Sequence, residues 1–237
     1  MTELDLSDGK LADFDPDSID DFRLIKKINL SRNNLKSIPS WVFLCVNLEE
    51  LYLSNNQLQS LPQELYNLVN LKFLYLSDNQ LKSLPQELCN LVNLEILYFG
   101  NNRLQSLPQE LGNLVNLTEL YLSNNQLQSL PQELGNLVNL KLLSLSYNQL
   151  QSLPQELGNL VNLEYLDLSD NQLNSLPREL GNLVKLKYLF LFNNPVQTTI
   201  AALHENYRIF IAERDATTQA LDRSLDRDTL SVVVDFI

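Results

Sequence analysis

Side chains able to do covalent or acid–base chemistry are sparse in this chain of 237 residues. His204 is the single histidine, and its setting favours a place on a terminal helix over catalysis. No phosphate loop, dinucleotide fingerprint, H-E-x-x-H pair or Cys/His cluster occurs. Serines and aspartates are scattered, but none has a positioned histidine or lysine base to activate it. The stretch DFDPDSIDDFRL comes nearest to a metal loop, because Asp13, Asp15 and Asp17 match the first three ligands of a calcium-binding hand. Ser18 stands where that loop needs glycine and Leu24 where it needs a bidentate glutamate, so an acidic cap is expected instead. Cys45 and Cys89 fall two repeats apart in different columns and are expected as free thiols. The chain is therefore expected to be non-enzymatic, with no cofactor and no metal.

The elements that carry these side chains follow a period of 23 residues. One asparagine column marks it: Asn33, Asn56, Asn79, Asn102, Asn125, Asn148, Asn171 and Asn194. Counting from zero at Ile25, Leu48, Leu71, Leu94, Leu117, Leu140, Leu163 and Leu186, aliphatic residues recur at offsets 0, 3, 5, 10, 13, 17 and 20. Offsets 3 and 5 alternate as in a short strand, and 13, 17 and 20 share one helical face. Proline at offset 14 (Pro62, Pro85, Pro108 and their equivalents) suits the first position of a short helix. Gly112, Gly135, Gly158 and Gly181 at offset 18 are expected to keep that helix short. The asparagines are expected to be buried and to bond backbone groups left unpaired at the bend, as a ladder along the array.

The segments LEELYLSNNQL, LKFLYLSDNQL, LTELYLSNNQL and LEYLDLSDNQL resemble the leucine-rich repeat consensus LxxLxLxxNxL. The LPxxLxxLxx second half is similar to the class found in intracellular Ras-group scaffolds and bacterial repeat proteins. The resemblance covers about residues 4–196. It implies an α/β fold: a right-handed, curved solenoid with a parallel sheet on the concave face and short helices or 3₁₀ turns on the convex face. Residues 1–24 read as a degenerate repeat and acidic cap, 25–196 as the solenoid, and 197–237 as a helical cap. Stacked arrays need such caps because their cores are open at both ends.

Between Leu58 and Leu183 the convex half hardly varies, whereas offsets 1, 2, 4 and 7 do. Offset 4 includes Tyr52, Tyr75, Tyr98, Tyr121, Asp167 and Phe190. Offset 2 includes Phe73, Ile96, Leu142, Tyr165 and Tyr188, and offset 7 adds Tyr147. Two readings are compatible: cross-strand stacking of aromatic rings, and an exposed protein-binding surface. Lys72, Lys141, Lys187, Asp78, Asp167 and Asp170 would tune the orientation of a partner. Offset 1 alternates in charge (Lys26, Glu49, Lys72, Glu95), which reads as a surface ladder of little energetic weight.

The net charge of −12 disfavours nucleic acid and anionic lipid, and no apolar run is long enough for a membrane span. Eight acids against two basic residues in positions 1–24 supply half of that excess. The first residues lack the basic and apolar regions of a secretory signal, so a cytoplasmic location is expected, with signal-independent export as the alternative. The expected function is a monomeric protein-interaction module, weak dimerisation being the alternative state. The other functional readings are the sensing arm of a larger signalling enzyme or effector, and a structural or adhesive repeat.

Overall fold

The computed structural model describes residues 2–196. The expected cap 197–237, with His204, lies outside the described residues. Nine strands are described: β1 (Glu3–Asp5), β2 (Lys27–Asn29), β3 (Glu50–Tyr52), β4 (Phe73–Tyr75), β5 (Ile96–Tyr98), β6 (Glu119–Tyr121), β7 (Leu142–Ser144), β8 (Tyr165–Asp167) and β9 (Tyr188–Phe190). They form one parallel sheet in chain order, in constant register, so that Tyr52, Tyr75, Tyr98 and Tyr121 stand side by side. Constant register follows from the constant period: any insertion would move a leucine out of the core and a polar residue into it.

The core runs the length of the array. In the repeat from Leu94, the side chains of Leu94, Leu97, Phe99, Leu104, Leu111 and Leu114 are fully buried, and Leu107 nearly so. Each repeat returns through a five-residue 3₁₀ turn, such as Gln63–Asn67 or Gln109–Asn113. The proline stands one residue earlier than expected, in extended conformation before the turn, where its carbonyl accepts the N–H of the third turn residue (Leu65 to Pro62, 3.2 Å). A residue without an N–H suits this spot, since the first donors of a turn have no partner within it.

The glycines at offset 18 have a different cause from the one expected. A Cβ on Gly112 would run into the carbonyl of Glu133 in the next turn and lie 2.9 Å from the Glu133 Cβ; Gly135 and Gly158 meet Glu156 and Glu179 in the same way. The glycines therefore allow close approach of successive turns rather than ending a helix. Tyr66 and Cys89 fill this column in the earlier repeats and are buried.

At the start of the chain, Phe14 and Phe22 pack against Trp41, with ring centroids 5.2 and 6.2 Å apart, and Leu11 and Ile19 join them over the core. The aspartates of this segment act locally. Asp15 accepts the Asp17 N–H and Asp21 accepts the Arg23 N–H, each opening a short 3₁₀ turn. Among the described residues no group of three His, Cys, Asp or Glu side chains converges as a metal site, and no helix is long and apolar enough to cross a membrane. Cys45 and Cys89 are free and buried, and burial pushes their thiols up to about 11 and about 12.

Candidate protein-binding face

The asparagine column fixes the loop at the end of every strand. Asn102 donates to the Leu76 and Phe99 carbonyls at 2.9 and 3.1 Å, and its Oδ1 accepts the Leu81 N–H at 3.0 Å. Asn56, Asn79, Asn125, Asn148 and Asn171 repeat this arrangement. Asn33 and Asn194, at the two ends of the column, are half-buried and bond in the same sense. One side chain thus ties its own strand end to the repeat before it.

Immediately before each of these asparagines the backbone turns left-handed. Arg32, Asn55, Asp78, Asn101, Asn124, Tyr147, Asp170 and Asn193 all have φ between 53° and 59°. This corrects the reading of offset 7 as free to vary. Asn and Asp tolerate this conformation, whereas bulky side chains rarely adopt it. Tyr147 adopts it and is 43 % exposed.

The four central tyrosines form a continuous stack. Centroid separations are 4.5 Å for Tyr52–Tyr75, 4.8 Å for Tyr75–Tyr98 and 3.8 Å for Tyr98–Tyr121, with planes within 18° of parallel. Both ends are held. The Tyr52 hydroxyl donates to Glu50 at 2.8 Å and the Tyr121 hydroxyl to Glu119 at 2.9 Å. Lys27 lies 5.5 Å from the Tyr52 ring centroid, within cation–π range. The rings are half-buried rather than fully exposed. Desolvation raises the hydroxyl pKa of all four, so the neutral phenols persist as hydrogen-bond donors. Phe73 and Ile96 occupy offset 2 between Glu50 and Glu119, and both are half-buried.

Beyond Tyr121 the surface changes character. Ser144 takes the next place in register, then Asp167 and Phe190. Asp167 and Phe190 are 6 % and 8 % exposed, which corrects their assignment to a fully open surface. Tyr165 packs on Phe190 at 5.0 Å and on Tyr188 at 6.2 Å. Leu142, Tyr165 and Tyr188 are half-buried. Sequence reasoning missed a cluster of serine hydroxyls beside them. Ser123 and Ser144 share a hydrogen bond of 2.5 Å, and Ser146 donates to Ser123 at 3.1 Å. The signal was Ser144 at offset 4 standing beside the offset-6 serines Ser123 and Ser146, which pass for scaffold.

Charges flank this face. Glu49 bridges Lys26 and Lys72 at 2.6 and 2.9 Å, and these hydrogen bonds, Lys26 first, hold its carboxyl down at about 2. Glu164 receives Lys187 at 2.6 Å. Lys72 and Lys187 are thereby engaged within the chain, and as exposed pairs they contribute little to stability.

Comparison with known proteins follows the same architecture. The Leucine rich repeat family model matches residues 1–58, 23–81, 46–104, 70–127, 92–150, 115–173 and 138–196. No match was found among curated protein sequences. A solved leucine-rich repeat protein of Leptospira interrogans is 30 % identical with a TM-score of 0.70, over 83 % of this chain and 56 % of that one. A Listeria monocytogenes internalin is 26 % identical with a TM-score of 0.67, over 80 % of this chain and 55 % of its own. A plant peptide hormone receptor, solved in complex with RGF2, is 32 % identical with a TM-score of 0.67, over 81 % of this chain and 30 % of the receptor. The chain thus spans about half the length of the two bacterial structures. With seven tiled matches and nine parallel strands in one open sheet, the chain belongs to the leucine-rich repeat family.

Proposed function

We propose that the concave sheet face is the docking surface for a protein partner, and that the stack Tyr52–Tyr75–Tyr98–Tyr121 is its central ridge. The leucine-rich repeat is commonly a protein-interaction module, and one structural neighbour is a peptide hormone receptor. The observation that carries the reading is the stack itself: four large rings with polar tips, held in place before any partner arrives. Such rings supply contact area at little further entropic cost. Ring stacking accounts for their alignment. It does not account for the break at Ser144 in an array whose leucine columns continue without change. A reducing, cytoplasmic setting fits the two buried free thiols.

The test is a quantitative pull-down from the cells that express the protein, with circular dichroism as a check on folding. The Tyr75→Ala/Tyr98→Ala variant should lose the partner while keeping the wild-type spectrum. The convex Gln86→Ala/Gln109→Ala variant should retain it. Equal losses from the two variants would refute the concave face as the site.

A further inference from the structure

The ridge ends at an acidic notch. Asp167 lies between Ser144 and Phe190 in register, on the same strand face as Tyr165. It is 6 % exposed, and the described residues offer it no cationic partner. Its hydrogen-bond partners are neutral: the Ser169 and Ser146 hydroxyls reach the carboxylate, and Oδ1 accepts the Ser169 N–H at 2.9 Å. That bond does not require a charge. Asn29 occupies the same offset and accepts the Ser31 N–H at 3.1 Å. Asp5, one repeat earlier, accepts the Ser7 N–H at 3.0 Å but is exposed. Among the described residues only position 167 buries a carboxylate where a carboxamide would serve the turn, and burying an ion without a counter-charge is costly.

The surroundings suit a cation. Phe190 is the neighbour of Asp167 in register and Tyr165 lies two residues before it on the same strand face, the two rings 5.0 Å apart, and Tyr147 stands exposed at the preceding repeat in a backbone conformation unfavourable to tyrosine. Asp170 adds a second acid on the same loop, while the nearby Lys187 is held by Glu164. Aromatic faces beside a desolvated carboxylate attract a guanidinium or ammonium group, and guanidinium, planar and weakly hydrated, suits them better. We infer that this notch receives an arginine or lysine side chain of the protein partner, while the tyrosine ridge takes the apolar part of the same segment. The inference rests on the concave face being the docking surface.

The experiment is selection of random dodecapeptides, displayed on phage, against the full chain, followed by affinity measurement on wild type, Asp167→Asn and Tyr75→Ala/Tyr98→Ala. Asp167→Asn removes the charge and keeps the turn bond, as Asn29 shows. Selected peptides should carry arginine or lysine at one fixed position. They should bind Asp167→Asn at least roughly tenfold more weakly, and replacing that basic residue by citrulline or norleucine should cause the same loss. Peptides that depend on the two tyrosines, lack a fixed basic residue and bind Asp167→Asn as tightly as wild type would overturn the notch and leave the ridge standing. Peptides indifferent to both variants, or no selected peptides at all, would overturn both readings.

Discussion

Tyr147 is the one bulky side chain in its described column from Asn55 onward. Every other described residue in that column from Asn55 onward is Asn or Asp, at the same left-handed φ. Replacing Tyr147 by Asn should relieve the backbone and stabilise the protein by about 1 kcal/mol, measured as a higher urea midpoint at unchanged slope. If the exposed ring serves the partner, the same change weakens binding, so stability and affinity move in opposite directions. A fall in stability would mean that the ring has a packing role outweighing its backbone conformation. The left-handed φ was not legible in sequence, because Asn, Asp, Arg and Tyr together look like free variation. Only the shared backbone geometry shows that two of these types are favoured there and the other two are exceptions.

At the level of the element, the strand, its asparagine and the 3₁₀ turn form one repeating device. The aliphatic offsets and the asparagine spacing were legible because burial and hydrogen bonding leave them no alternative residue types. The role of Gly112, Gly135 and Gly158 was not legible, since it depends on what the next turn brings against them. The burial of Asp167 and Phe190 escaped for a similar reason: alternation assigns them to the outward face, and only the folded array brings Tyr165 onto Phe190 and takes Asp167 out of water. Asn102→Ala should cost about 2 kcal/mol, because the buried Leu81 N–H loses its acceptor while the Leu76 and Phe99 carbonyls each drop from two asparagine donors to one. Asn113→Ala, on the exposed convex side, should stay within about 0.5 kcal/mol of wild type. Chemical denaturation of the two variants side by side decides this, and similar midpoints would remove the asparagine column from the list of stabilising features.

For the whole molecule, constant register means that the array is additive in its repeats. Excising residues 94–116, one full period, should bring Leu117 onto Val92–Asn93 in the register that Leu94 held. The shortened protein should unfold cooperatively with the strand signature of the parent in circular dichroism. Excising 94–112 breaks the period and should leave a poorly cooperative chain. If both deletions behave alike, the register is not what couples the repeats.

The column occupied by Tyr66, Cys89 and then Gly112, Gly135 and Gly158 also sets the shape of the bend. On the sheet side, ladder hydrogen bonds hold neighbouring strands at one spacing throughout. On the opposite side, Tyr66 stands against Glu87 and Cys89 against Glu110, so those turns must sit further apart than the glycine turns that follow. Equal inner spacing with unequal outer spacing gives an arc of two radii, tighter under the first tyrosines and flatter toward Tyr165 and Phe190. A stiff partner of uniform curvature can match one of these radii but not both. Full contact along the face therefore demands a ligand that is short or one that can bend.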